Sequence, residues 1–283
     1  MSSQPTCWRR AAAMAAQVPF PAPGARVAVI GCGTSLYVAQ AMASWREAAG
    51  QGETDAFSAS EAPLARRYDV VVAVTRSGTT TEVLRVLATV APRASVIAIT
   101  ARADSPAVAA ATQAIVLDFA DEQAVVQTRF ATTALALWRA RLGHDVGSLA
   151  GLADASLVAA LPLNLRKHEQ FVFLGHGPGV GLANEASLKF REAALAWSES
   201  YPAMEFRHGP ISVISDRTLV WALNALPPGL ADEVAATGAT VDATSVDEMV
   251  ELVRIQRAAI DLARSRGLDP NRPRRLTHSV VLS

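Results

Sequence analysis

The sequence predicts an α/β fold made of two three-layer αβα subdomains with mostly parallel sheets, of the doubly wound, flavodoxin-like kind. Three observations carry this. The apolar run Arg26-Val-Ala-Val-Ile30 leads into Gly31-Cys-Gly33-Thr-Ser35 and then a helical stretch, the strand–turn–helix opening of a βαβ unit. The pattern returns half a chain later in Phe171-Val-Phe-Leu174, Gly175-His-Gly177-Pro-Gly179 and a second helix. The two helices close alike, on Arg46-Glu47-Ala-Ala49 and Arg191-Glu192-Ala-Ala194. Finally, Val70-Val-Val-Ala-Val74 is apolar at every position, as in a parallel strand buried on both faces.

Taken in order, residues 1–150 form the first subdomain. Cys7 belongs to an opening helix, and a helix over Leu36 to Ala49 follows the first strand. The strand Val70 to Val74 passes through Ser77-Gly-Thr-Thr-Thr81 into a helix over Glu82 to Val90. Ser95-Val-Ile-Ala-Ile-Thr100 and Ala114-Ile-Val-Leu-Asp118 are the next strands, and Gln123 to Arg141 reads as one long helix. Gly143 to Gly151 is a break. In the second subdomain, residues 151–283, Leu219 to Leu223 and Ala239 to Asp242 are strands and Asp247 to Arg266 is helical. Asp269-Pro-Asn-Arg-Pro273 is irregular, and His278-Ser-Val-Val-Leu282 is expected to add an edge strand.

Composition narrows the function. The 283 residues are 51% apolar with a formal net charge of zero, which excludes disorder and carries no nucleic-acid footprint. Two cysteines, Cys7 and Cys32, supply neither a disulfide framework nor a metal quartet. No apolar run is long enough for a membrane span and the N-terminus has no secretory pattern. These features point to a soluble, cytoplasmic protein with no membrane or nucleic-acid partner.

Parallel sheets place ligands at the carboxyl ends of their strands. Two turns there are rich in hydroxyls: Gly33-Thr34-Ser35, and Thr75-Arg76-Ser77-Gly-Thr79-Thr80-Thr81. Glycine permits close backbone approach, hydroxyls donate to phosphate oxygens, and the following helix N-terminus favours an anion. Ser and Thr also cap helices in any protein, but the clustering favours a phosphate cradle, with the Arg76 guanidinium suited to an anion. The dinucleotide fingerprint fails in both halves, because Leu36 and Val180 stand where a third glycine is required. The anion is therefore the phosphate of a small metabolite, and no cofactor is implied.

The chain has 24 Arg and only two Lys. One of them, Lys189, lies i+4 from Glu185 and i−3 from Glu192, so the three share one helix face. A solvated Glu–Lys–Glu ladder is the plain reading. Glu205-Phe-Arg-His208-Gly-Pro210 follows, bringing a histidine and a further carboxylate close in sequence. A lysine, carboxylates and a histidine this close together are groups suited to moving a proton. The five histidines are scattered without ligand spacing, so no metal is implied. His144 and His168 read as surface residues, His176 as a structural loop histidine, and Glu205 either as a catalytic neighbour or as a partner for Arg207.

Five motifs in this order and spacing resemble the sugar isomerase (SIS) family: Cys32-Gly-Thr-Ser35, Ser77-Gly-Thr-Thr80, Leu188-Lys-Phe-Arg-Glu192, Glu205-Phe-Arg-His208-Gly-Pro210 and Asp269-Pro-Asn-Arg-Pro-Arg-Arg-Leu276. The resemblance is greatest to the isomerase half of glucosamine-6-phosphate synthase and to shorter amino-sugar-phosphate deaminases and fructosamine-phosphate deglycases. It implies phosphate binding by Ser35, Thr75, Arg76, Ser77 and Thr80, and a loop beside the sugar carrying Val125 and Gln127. It also implies Glu192 as enolisation base, Lys189 as its neighbour, His208 as ring opener, and a homodimer in which that histidine crosses to the neighbouring subunit. Arg76 stands where the family has Gln, and Gln127 where it commonly has Ser. His278 replaces the synthase's tail lysine. It can shuttle a proton but cannot form an imine.

The expected activity is aldose–ketose isomerisation coupled to deamination or deglycation of an amino-sugar or fructosamine phosphate. The chain lacks a glutaminase domain, which favours that direction over synthesis. A plain phosphosugar isomerase and a noncatalytic phosphosugar sensor are the alternatives.

Overall fold

Helix α1 (Gln4–Met14) precedes β1 (Val27–Gly31), every residue of which is buried. The first sheet then alternates strands and helices: α2 (Thr34–Ala48), β2 (Thr54–Ser58), β3 (Val70–Val74), α3 (Thr81–Val90), β4 (Ser95–Thr100), α4 (Pro106–Ala110), β5 (Gln113–Val116) and α5 (Arg129–Arg141). All four strand pairings are parallel, in the order β2-β1-β3-β4-β5. This is a computed structural model, and it describes residues 1–63, 65–161 and 164–282. The chain divides into two compact units, one of Ser3–Ala150 with the segment from Thr277 onward, the other of Gly151–Leu276 with Met1–Ser2. The sequence reading put the whole tail in the second half.

The α3 residues Val83, Val86, Leu87 and Val90 are buried at i, i+3, i+4 and i+7, so one stripe of this helix covers the sheet. On the opposite face, α5 is held by polar contacts as well as packing. Trp8 Nε1 donates to Thr132 Oγ1 at 3.0 Å, and Trp138 Nε1 donates to the Met42 carbonyl at 2.9 Å.

The second unit repeats the design. After α6 (Val146–Val158) come β6 (Gln170–Gly175), α7 (Gly179–Ala194), β7 (Trp197–Pro202), β8 (Thr218–Ala222), α8 (Leu230–Ala235), β9 (Thr240–Ala243) and α9 (Glu248–Ser265). The parallel order β7-β6-β8-β9 matches the first four strands of the other sheet. Phe171, Phe173, Phe190 and Trp221 form its aromatic centre, with Phe171 and Phe190 ring centroids 4.8 Å apart. At Gly175 a Cβ would stand 2.1 Å from the Gly179 carbonyl oxygen, so close packing of strand end and helix start requires glycine there.

Several expectations change. The long helix expected from Gln123 begins at Arg129, because the Glu122 carboxylate accepts from the N–H groups of Thr128, Arg129 and Phe130 and fixes the N-terminus there. The expected break over 143–151 is shorter, since α6 starts at Val146. The tail His278 to Leu282 is no edge strand; its backbone bonds to the turn that opens α3. Strands β2 and β7 and helices α4 and α8 were not anticipated.

His168, expected at the surface, is buried at 6% exposure against Phe171, and its Nδ1 has no partner among the described residues. Burial, with Lys167 beside it, lowers its pKa. The folded chain holds the ring neutral while the unfolded chain takes up a proton near pH ~6.5. Stability is therefore expected to fall as pH drops through that value, and His168→Gln should flatten this acid limb in urea titrations. An unchanged limb would assign it to other groups.

Candidate active site

In the first sheet the strand order reverses between β1 and β3, where a doubly wound fold leaves its ligand crevice. The β1 turn ends in Gly33, which caps α2 at φ +55°, a conformation open to glycine and strained for other residues. Thr34 and Ser35 follow as buried first-turn residues of α2. Beyond β3, Thr75 and Arg76 are buried and Ser77 and Thr80 half-buried. The Thr75 Oγ1 atom is buried with no hydrogen-bond partner among the described residues, and so are Ser105 Oγ and Gln127 Oε1. Buried polar atoms left without partners are costly in a native fold, and three of them at one end of one sheet suit a polar ligand.

The Arg76 guanidinium donates to the carbonyls of Ala124, at 2.7 Å, and His278, at 3.0 Å. It thereby ties the loop carrying Val125 and Gln127, both half-buried, to the C-terminal segment. His278 is exposed, its Nε2 3.1 Å from the Glu122 carbonyl. A cavity of about 250 Å³ lies against the turn, lined by Ser77, Thr79, Arg102, Ser105, Asp121 and His278. Sequence reasoning passed over Arg102 and Ser105. Their only signal was position at the carboxyl end of β4.

In the second unit the Glu185–Lys189–Glu192 face is buried rather than solvated. Lys189 is 1% exposed, its Nζ 2.6 Å from Glu192 Oε2 and 3.3 Å from Glu185 Oε1. Burial pulls the ammonium pKa down, but the two carboxylates outweigh it and leave it raised. Lys189 is thus held charged, a poor nucleophile and a strong electrostatic partner. Glu192 alone of the three opens outward, its side chain 19% exposed, into a cavity of about 160 Å³ lined also by Leu268, Asp269, Arg272 and Pro273. The irregular segment that follows α9 is therefore the wall of the Glu192 pocket.

The internal repeat sharpens the assignment. Glu47 occupies the place of Glu192 in the first unit, but its Oε1 accepts the Thr54 N–H at 2.7 Å and Ser44 stands in the place of Lys189. Of the two copies, the second has a carboxylate that is paired with an ammonium and faces a cavity.

His208 is exposed on the loop after β7 and is not among the residues lining the Glu192 cavity. Glu205 is exposed as well. Arg207 pairs with Glu233, at 2.8 and 2.9 Å, rather than with Glu205. His176 exchanges backbone bonds with the Asn224 amide, a loop-holding role.

Residues 23–139 match the SIS domain. Glutamine–fructose-6-phosphate aminotransferase (isomerizing) of Zymomonas mobilis subsp. mobilis is 24% identical over 315 residues, covering 91% of this chain and 52% of that protein. Its namesake from Symbiobacterium thermophilum is 29% identical over 277 residues, covering 78% and 45%. The chain spans about half or less of the length of the curated relatives it matches. Among solved structures, glucosamine-6-phosphate deaminase from Thermotoga maritima superposes with a TM-score of 0.88 at 25% identity, covering 99% of this chain and 96% of that one. The C-terminal domain of glucosamine-fructose-6-phosphate aminotransferase from Francisella tularensis gives 0.79 at 19% identity, covering 96% of each. The chain therefore matches the SIS domain in sequence over residues 23–139, and over nearly its whole length it shares the fold of these two solved structures.

Proposed function

We propose that the chain is a phosphosugar-processing enzyme that isomerises an amino-sugar or fructosamine phosphate between aldose and ketose forms, coupled to deamination or deglycation. The observation that carries this is Glu192: a carboxylate 2.6 Å from a buried ammonium and open to a cavity. A carboxylate held in place by a charged ammonium and open to a cavity is positioned to abstract a proton from a bound substrate. Phosphate capture is assigned to Gly33, Thr34, Ser35, Thr75, Ser77 and Thr80, with Arg76 holding the loop whose Val125 and Gln127 stand beside the sugar. Holding the unreactive end lets binding energy orient C1 and C2.

For an aldose bearing a 2-amino group, Glu192 takes the C2 proton of the open-chain aldehyde to give an enolamine and returns it to C1. The product is a ketose imine, and water releases the ketose and ammonia. His208 is assigned to ring opening, reaching the substrate from a second copy in a homodimer, and His278 to proton shuttling. Similarity to the Thermotoga maritima deaminase over nearly the whole of both chains supports the deaminating direction. The proposed setting is the cytoplasm, with the sugar phosphate as sole partner besides the second copy.

The test is deuterium incorporation in D2O, followed by proton NMR, over a panel of sugar and amino-sugar phosphates. Exchange at C1 or C2 with ammonia or amine release supports the proposal. Exchange confined to neutral sugar phosphates would leave a plain isomerase, and phosphosugar binding without exchange would leave a sensor.

A further inference from the structure

The hydroxyl-rich turn that opens α3 is already engaged by the chain's own C-terminal segment. Ser77 Oγ donates to Ser279 Oγ at 3.2 Å, Thr79 Oγ1 donates to Ser77 Oγ at 3.0 Å, and Thr79 Oγ1 and Ser279 Oγ are 3.0 Å apart. A hydroxyl has one proton to give. In this triangle each proton has a neighbour to go to, and Ser77 Oγ also accepts from the Thr79 N–H at 3.2 Å. The ring closes on itself and leaves no hydroxyl proton for an outside oxygen.

The helix end is engaged in the same way. Helix α3 has no side-chain cap on Thr80, and the Thr81 N–H donates to the Val280 carbonyl at 3.2 Å. The Leu282 N–H in turn donates to Thr81 Oγ1 at 2.9 Å. A helix N-terminus beside donor hydroxyls is a seat for anionic oxygens. Here neutral oxygens fill it, one from a side chain and one from the backbone. The segment is fastened upstream by the Arg76–His278 carbonyl bond.

We propose that Ser279 and Val280 stand where phosphate oxygens would stand at the Ser77–Thr81 turn, so that the segment 279–282 and phosphate compete for it. The idea rests on the phosphate reading of that turn given above. Hydrogen bonds to a charged oxygen are roughly twice as strong as those to a neutral one, so phosphate displaces the segment at sufficient concentration. The segment lowers apparent affinity by the fraction of time it is seated. Arg76 keeps its base attached, so displacement is a local swing of residues 279–282. The device would hold the cradle filled and release it only to a dianionic ligand, discriminating against unphosphorylated sugars.

The experiment is titration of the full chain with inorganic phosphate by calorimetry, comparing wild type with Ser279→Ala and Ser279→Asp. Ser279 is half-buried on an irregular segment, so neither change threatens folding. Loss of the Ser279 bonds should tighten phosphate binding by about two- to tenfold in Ser279→Ala. Ser279→Asp, presenting a carboxylate to the same hydroxyls, should weaken it. Exchange of the Leu282 amide should also quicken when phosphate is added to wild type. Unchanged or weaker binding by Ser279→Ala, with wild type still binding, would overturn the competition alone, and weaker binding would make Ser279 a phosphate ligand. Failure of all three chains to bind phosphate would overturn this inference and the phosphate reading together.

Discussion

Glu192→Gln is expected to abolish proton exchange at the reacting carbon, lowering the rate by about a hundred- to ten-thousand-fold, the usual contribution of a positioned general base. The amide keeps the size of the carboxylate and can still accept from Lys189 Nζ, so the fold and the phosphate turns should be untouched. The loss should therefore fall on kcat, with inorganic phosphate affinity unchanged. Exchange in D2O by proton NMR, run beside wild type with the best substrate of the panel, measures it. A variant that retained more than about a tenth of the wild-type rate would remove Glu192 from the role of base, because such a residue contributes at least about a hundredfold.

The second large effect concerns stability. Lys189→Met keeps the unbranched chain and deletes the charge between Glu185, which is fully buried, and Glu192. Two carboxylates would then share a buried space without a cation. Removing one partner of a buried pair costs about 3–5 kcal/mol, and that loss is expected in urea unfolding. The folded-state pKa of Lys189 is raised, so its stabilisation is fully present through neutral pH and fades only as pH rises through that value. The variant should accordingly lose the alkaline limb of the wild-type stability profile. Adding Glu185→Leu should recover part of the loss, since an apolar replacement of a buried pair is often tolerated. A loss below about 1 kcal/mol in the single variant would show that a carboxylate relieves the site by taking up a proton. The two substitutions separate the roles: Glu192→Gln is expected to remove chemistry at little cost in stability, and Lys189→Met to remove stability first.

The strands whose bounds the sequence gives to the residue are central ones buried on both faces, although the edge strands β5 and β9 were legible too. Val70 to Val74 and Ser95 to Thr100 were read to the residue because continuous apolar runs leave one interpretation. The strands missed, Thr54–Ser58 and Trp197–Pro202, are edges of their sheets, with polar and half-exposed positions that carry no such run. The loop bearing Val125 and Gln127 was read as helix because its composition permits one, and nothing local shows that the Glu122 carboxylate would spend itself on the N–H groups six to eight residues ahead.

The same division runs through the candidate site. That Glu185, Lys189 and Glu192 share one face follows from their spacing alone, since a period of 3.6 residues settles it wherever a helix forms. The hydroxyl-rich turns after β1 and β3 are likewise plain in the sequence. Long-range packing is what buries this face, opens Glu192 alone of the three to a cavity, turns Arg76 toward backbone carbonyls and seats Ser279 on the Ser77–Thr79 turn. Those contacts join residues some 200 positions apart or depend on what packs against a surface. Their free energy comes from burial and pairing across the fold, and no local pattern records it.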